Sequence, residues 1–325
     1  MIRPLIAALA CCLSLAAHAF DLEGHRGARG LAPENTLPGF ARALSIGVST
    51  LELDVGVTRD GVVVISHERG LVPNTARGPD GKWLSAPGAM IHALPYAELE
   101  RYDVGRLNPA TKYARQFQAH APADGARIPR LADLFALVKK AGNDAVRFNI
   151  ETKISPEAPD ETLPPVPFAR ALIAAIRAGG VERRSTIQSF DWRTLKVVQA
   201  EAPRIPTVYL SAQQRWLDNI RAGDPTGSAW TAGLKFADYG SVPKMVKAAG
   251  GTIWSPYFGD LDAAKLAEAH ALGLQVIPWT ASQPAQIRAM LALGVDGLIS
   301  DRPDLVRKAM QKRGIPLPSA TPVAP

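Results

Sequence analysis

The sequence predicts a (β/α)8 TIM barrel, an α/β fold, on three observations. Strand-like runs alternate with amphipathic helical runs, which implies a parallel sheet, and eight such strands imply closure into a barrel. The length of 325 residues exceeds an ordinary single domain but suits this barrel. A hydrophobic content of 47% with 21% charged residues is that of an ordinary globular chain.

Residues 1–19 read as a signal peptide. Arg3 supplies a positive start, Pro4–Leu15 is almost wholly apolar, and Ala17-His18-Ala19 predicts a cut after Ala19. The apolar run is too short to span a bilayer, and no later stretch is a membrane helix. Cys11 and Cys12 both lie in this segment, so the mature chain is expected to lack disulfides. A lipid anchor at one of them is the alternative, disfavoured because neither follows a full hydrophobic core with a good preceding motif. The expected location is periplasmic or secreted, without a stable membrane anchor.

The barrel is expected to fill residues 20–313. Its first strand is Phe20–Gly24, and Asn35-Thr36 then leads into a helix over Leu37–Ile46, stopped by Gly47. In Thr50–Val55, Leu51, Leu53 and Val55 alternate with Glu52 and Asp54, so the aliphatics share one face and the acids the other. An Asp60-Gly61 turn folds Val62–Ile65 back as a hairpin. Residues 69–127, rich in Gly, Pro and scattered aromatics, are too long for an ordinary connection and read as a small subdomain inserted after the second strand. Placed just beyond His67, it is expected to cover the mouth of the barrel at that end.

The pattern resumes with a helix over Ile128–Ala141, whose Leu131, Leu134, Phe135 and Val138 share one side. Further strands are expected at Val146–Glu151, Ser185–Gln188, Thr207–Leu210, Thr252–Ser255, Gln275–Trp279 and Gly297–Ser300. Helices over Pro167–Ala178, Leu261–Leu272 and Ala285–Leu293 separate some of them. The tail, residues 314–325, is Pro-rich and expected to be disordered.

Two carboxylates on one strand face are costly unless a cation neutralises them, so Glu52 and Asp54 ask for a metal ion or a basic partner. Glu151 ends its strand, where barrel enzymes place their sites, and is the third candidate ligand. Three carboxylates with water and phosphate oxygens suit one hard divalent cation, Ca2+ or Mg2+. A Glu151–Lys153 salt bridge is the other reading of those residues. His25 closes the first strand and the hairpin brings His67 near the acidic pair, with Arg26 beside them. A metal, an arginine and two imidazoles are the inventory of phosphoryl chemistry.

Other residues carry two readings. Arg26 can clamp a phosphate or bridge to Glu34 or Asp54, and Glu34-Asn35-Thr36 is also a plain helix start. Trp279 and Gln188 either fill space or line a pocket. His92, His120 and His270 lack comparable carboxylate neighbours and read as structural.

Taken in order, HRG at His25–Gly27, ENT at Glu34–Thr36, ELD at Glu52–Asp54, the Asp60-Gly61 turn and His67 resemble the glycerophosphodiester phosphodiesterase family. The resemblance continues through Phe148–Lys153 (FNIETK), Gln188-Ser189-Phe190, Trp279-Thr280 and Val295–Pro303 (VDGLISDRP). It implies hydrolysis of glycerophosphodiesters to sn-glycerol 3-phosphate and an alcohol such as choline or ethanolamine. It also implies a metal on Glu52, Asp54 and Glu151, catalysis by His25 and His67, and phosphate contacts from Arg26 and Lys153. Glu34 is then expected to orient Arg26, and Trp279 to stack on substrate. Two positions depart from the pattern: Glu68 where the family usually has Asp, and Ser282 where it often has Asn.

The nearest alternative is a phospholipase D of the sphingomyelinase D type, disfavoured by the cysteine-free mature chain and the large insertion. An exported protein that binds phosphodiesters without turnover is a third, opposed by the full set of histidines and acids. The formal charge of +7 favours anionic ligands such as phosphodiesters, although an evenly solvated basic surface is the plainer reading. No basic run interleaved with aromatics points to nucleic acid. The expected partner is a small-molecule diester.

Overall fold

A computed structural model describes residues 19–325. The expected signal peptide, apart from Ala19, lies outside the described residues. Eight strands form the barrel: β1 (Asp21–Gly24), β2 (Thr50–Val57), β3 (Arg147–Thr152), β4 (Ser185–Ser189), β5 (Thr207–Ser211), β6 (Ile253–Pro256), β7 (Gln275–Val276) and β8 (Gly297–Ser300). They pair in parallel in the order β7-β6-β5-β4-β3-β2-β1-β8. The seam between β7 and β8 is closed by Asp296 N donating to Val276 O and Ile299 N to Pro278 O, both at 3.0 Å. β7 is shorter than the expected Gln275–Trp279, because Pro278 has no N–H to give to a ladder.

Eight helices surround the strands: α1 (Leu37–Ile46), α2 (Leu131–Lys140), α3 (Pro165–Ala178), α4 (Trp192–Glu201), α5 (Val242–Ala248), α6 (Ala263–Ala271), α7 (Pro284–Leu293) and α8 (Pro303–Lys312). Thr36 caps α1 by accepting a hydrogen bond from Gly39 N at 3.1 Å. α2 starts three residues later than expected. Arg130 is extended there, its N–H donates to Asp133 Oδ2, and Ile128 turns into the core of the insertion.

The aliphatic face of β2 points outward, as the alternation predicts. Leu51, Leu53 and Val55 are fully buried in one core with Phe40 and Leu44 of α1 and Leu134 of α2. Truncating Leu53 to Ala would cost about 2–5 kcal/mol. The barrel interior, by contrast, is divided. Buried Glu23, Glu52, Asp54, Asn149, Glu151 and Gln188 fill the half lined by β1–β4. Val208, Ile253, Ile277 and Ile299 fill the opposite half, with Trp279 packed on them.

Residues 69–127 fold over β2 with a small core of their own, Leu71, Ala76, Ile91 and Leu99 against Val64 and Ile128. A second excursion, residues 212–241, separates β5 from α5 and was not legible as an element. It carries a two-rung hairpin that pairs Gln213 with Asp218 and Gln214 with Leu217.

The expected disorder of residues 314–325 is not observed. Arg307 Nη1 donates to Pro318 O at 2.6 Å, Thr321 N to Leu44 O at 2.9 Å, and Asn143 Nδ2 to Thr321 Oγ1 at 2.9 Å. Ile315 and Val323 pack on the main core. The prolines that suggested disorder also restrict the unbound chain, which lowers the entropic cost of fixing it. Among the described residues no helix is long and apolar enough to cross a membrane.

Candidate active site

The site sits where β1, β2 and β3 end. β2 and β3 pair with Asp54 opposite Glu151, and the alternation of β2 places Glu52 one interior position earlier. One oxygen from each of Glu52, Asp54 and Glu151 lies within 4.8 Å of the others, and all three residues are buried. Carboxylate oxygens on opposite sides of a Ca2+-sized ion are separated by about that distance.

The electrostatics of this trio suit a cation. Burial, with Asp54 as neighbour, pushes Glu52 well above the ordinary carboxylate range. Burial raises Glu151 to about 7 despite Lys153. Asp54 goes the other way: burial opposes ionisation, but His67, Arg26 and Lys153 outweigh it and hold the carboxyl ionised. Asp54 Oδ1 is buried and accepts no hydrogen bond, although Lys153 Nζ lies 3.8 Å away. An ionised, orphaned oxygen between two other carboxylates is what a divalent ion would satisfy. The residues present therefore fit such an ion, and could bind one.

The turn after β1 holds the basic side. Arg26 adopts a left-handed backbone (φ 51), an uncommon conformation for a non-glycine residue, and its N–H donates to Glu52 Oε2 at 2.8 Å. Gly27 follows at φ 85, and a Cβ there would meet Gly39 C at 2.7 Å, so the turn can press against the start of α1 only as glycine. Arg26 Nη1 donates to Glu34 Oε1 at 2.7 Å, and its Nε lies 3.3 Å from Asp54 Oδ2. Asn35, also left-handed (φ 54), donates through Nδ2 to Asp54 Oδ2 at 2.8 Å. The bridge and helix-start readings of this segment thus hold together with a role at the site.

Each histidine has a carboxylate behind it. His25 Nδ1 lies 2.6 Å from Asp301 Oδ1, and its Nε2 is 3.9 Å from Glu52 Oε2. His67 Nδ1 lies 2.8 Å from Glu68 Oε1. Glu68 thus performs the orienting task despite being one methylene longer than the expected Asp. Burial, then Arg29, lowers His25 to about 4 against the pull of Asp301. Burial, then Arg26 and Lys153, lowers His67 to about 4, but its side chain is 27% exposed and water offsets part of that desolvation. Both rings are neutral near pH 7, each with Nδ1 engaged and Nε2 free to take a proton.

The Glu151–Lys153 bridge is present at 2.8 Å, alongside the acidic trio rather than instead of it. Gln188 donates to Glu52 Oε1 at 2.6 Å and accepts from Asn149 Nδ2 at 3.0 Å, which makes it a support for Glu52. Asn149 also donates to Glu23 Oε2 at 2.9 Å. A cavity of about 420 Å3 opens over these groups, lined by His25, Arg26, Glu52, His67, Glu151, Lys153 and Trp279. Every expected site residue except Asp54 and Glu34 lines it, and those two contact Arg26 directly behind it. His270 does have a carboxylate neighbour, Asp296 at 2.9 Å, but lies outside the cavity.

Sequence reasoning missed several participants. Asp301 sits inside the VDGLISDRP stretch but carried no signal of its own, because its partners His25 and Arg29 lie more than 270 residues away. Ser282 Oγ accepts from Asp301 N at 2.9 Å, so this departure from the pattern positions Asp301. Tyr113, from the first insertion, donates its hydroxyl to Glu34, and Arg29 lies over the ring of Phe117.

This inventory in this order can be set beside known proteins. The family model for the glycerophosphoryl diester phosphodiesterase family matches residues 25–305. The chain belongs to that family. It is a phosphoric diester hydrolase of glycerophosphodiesters. A glycerophosphodiester phosphodiesterase from Caldanaerobacter subterraneus is 26% identical over 290 residues, 89% of this chain and 97% of its own. A structure from Silicibacter pomeroyi assigned to the glycerophosphoryl diester phosphodiesterases is 36% identical with a TM-score of 0.81, covering 92% of this chain and 95% of that one. The fold is shared with a phosphodiesterase from Oleispira antarctica solved with its product sn-glycerol-3-phosphate (22% identical, 90% and 97% covered, TM-score 0.64).

Proposed function

We propose that the chain acts outside the cytoplasm and converts glycerophosphodiesters such as glycerophosphocholine or glycerophosphoethanolamine to sn-glycerol 3-phosphate and the free alcohol. The observation that carries this reading is the pair of imidazoles, each backed by a carboxylate, flanking a buried acidic trio beside Arg26 and Lys153.

Glu52, Asp54 and Glu151 would hold one Ca2+ or Mg2+. Bound there, the ion supplies positive charge that holds a phosphate oxygen and balances charge building up on phosphorus. Arg26, its fork fixed by Glu34, and Lys153 present cations to the remaining phosphate oxygens. One imidazole Nε2 takes the proton of the attacking hydroxyl, which is water or the 2-hydroxyl of the glycerol. The other, protonated at Nε2 from solvent as the anionic diester binds beside it, delivers that proton to the departing alcohol oxygen. If the glycerol hydroxyl attacks, a cyclic phosphate forms and water opens it with the two roles exchanged. Asp301 and Glu68 keep the acting Nε2 atoms pointed away from their own Nδ1 contacts.

Phosphorus NMR of purified protein with glycerophosphocholine and Ca2+ or Mg2+ tests the reading. It should show sn-glycerol 3-phosphate and no phosphocholine. Phosphocholine, or an unchanged diester, would overturn it.

A further inference from the structure

The first insertion does not build the part of the cavity where a leaving group could vary. Of residues 69–127, only Arg69 lines the cavity, and Tyr113 and Phe117 serve Glu34 and Arg29 instead. The second excursion does contribute. Trp216, Leu217 and Trp230 line the cavity together with Phe190, Leu210 and Trp279. This wall stands over the apolar half of the barrel interior, and the acidic trio and its basic partners stand over the polar half.

Apart from the indole N–H of the exposed Trp216, the wall has no side-chain hydrogen-bond donor to offer. Trp279 Nε1 is spent on Ser255 O at 3.1 Å and Trp230 Nε1 on Glu157 Oε1 at 3.3 Å. A glycerol moiety carries two free hydroxyls that lose hydrogen bonds if placed there, so it belongs with the polar half. The other end of the diester then meets the wall. A primary ammonium would strip three N–H donors of water against it, whereas a trimethylammonium has none to strip. A quaternary cation is also held by the faces of tryptophan rings. Lys153 Nζ already lies over the Phe190 ring at 5.9 Å, which leaves the indoles for the ligand.

We infer that the excursion 212–241, through Trp216 and Trp230, forms the leaving-group subsite and that this subsite selects a trimethylammonium head over a primary ammonium one. The inference rests on the hydrolase reading above for the chemistry, and on the wall alone for the selection. Trp216 is 59% exposed, meeting Tyr257 and Trp279 edge-on at 5.3 and 6.0 Å, so it can be replaced without cost to the core.

The test compares kcat/KM for glycerophosphocholine and glycerophosphoethanolamine. The unmodified protein should prefer the choline diester by on the order of tenfold, the scale of a partly desolvated cation–π contact. Trp216→Ala should collapse that ratio by about fivefold or more, and Trp216→Phe, which restores an aromatic face, should recover most of it. An equal loss on both diesters, or no preference at the outset, would overturn the inference. Tryptophan fluorescence titrated with choline and with ethanolamine reads the wall without turnover. Saturable quenching by choline alone, lost in Trp216→Ala, supports the subsite even in a protein that cleaves neither diester, an outcome that would retire the hydrolase reading instead. No quenching by choline would remove the subsite.

Discussion

Asp301 holds His25 by a 2.6 Å contact to Nδ1 while gripping Arg29 at 2.9 Å through both of its oxygens. The carboxylate is kept ionised: burial opposes it, but Arg29 and His25 prevail. An ionised partner fixes the proton of the neutral ring on Nδ1 and leaves Nε2 as the reactive atom.

Asp301→Asn should therefore lower kcat about 10- to 100-fold, the usual range for an orienting partner, with metal affinity unchanged. Asp301 raises the His25 pKa, so its loss should also move to lower pH the limb of the pH–rate profile that His25 sets, the acidic limb for a base and the basic limb for an acid. Steady-state kinetics across pH checks both. A drop in rate with an unmoved limb would reduce Asp301 to a structural residue.

Metal binding should expel protons. Without the ion Glu52 is held protonated and Glu151, at about 7, is half protonated near neutrality. Affinity should fall by about tenfold per pH unit for each proton displaced as the pH drops from 8 to 6. Calorimetry in two buffers of different ionisation enthalpy counts those protons. Exhaustive chelation should abolish turnover, and Ca2+ or Mg2+ should restore it. Affinity independent of pH, or full activity in metal-free protein, contradicts the assignment of the trio.

The stability of the metal-free protein should decline above neutrality. Glu151 and Glu23, pushed up to about 7 and about 8 mainly by burial, bind protons more tightly folded than unfolded, where they titrate near 4.5. Their stabilising contribution is complete at low pH and is lost as the pH rises through those values. His25 and His67, lowered to about 4 from 6.5, act with the opposite sign but only between those two values. From pH 6.5 to 8.5 the histidines have dropped out and the raised carboxyls of Glu23, Glu151 and Glu52 tilt the slope downward. Thermal unfolding in EDTA should give a falling Tm across that range. Metal should cancel the share due to the trio, and Glu23→Gln the remainder. A flat or rising Tm would show that these carboxyls are not held protonated.

The barrel was legible because its signals are local. Alternation in Thr50–Val55 set the face of each residue, and Asp60-Gly61 turned the hairpin. The acidic trio was legible in position for the same reason, since Glu52, Asp54 and Glu151 each sit at a strand position that pattern fixes, whereas the preference for a metal over a Glu151–Lys153 bridge came from the family resemblance. Asp301 and Tyr113 were not legible, because each acts through a partner distant in sequence, and for Gln188 the pocket position was legible but not its hydrogen bond to Glu52. Composition marked the first long excursion but not what it supports, and it did not mark the second at all. The first buttresses Glu34 and Arg29, and the second carries the aromatic wall. The tail was misread because proline content describes the free chain, whereas its hydrogen bonds to Leu44 and Asn143 depend on surfaces the fold creates.

The division of labour between His25 and His67 is the centre of the account, and leaving-group dependence measures it most directly. His25→Ala and His67→Ala should each lower turnover of glycerophosphocholine by about a hundredfold or more. On a p-nitrophenyl phosphodiester, whose nitrophenolate scarcely needs a proton, one variant should regain much of its rate and the other should stay slow. The rescued variant is the one that lacks the first-step acid. Equal rescue of both, or no loss in either, would contradict an acid–base pair at this site.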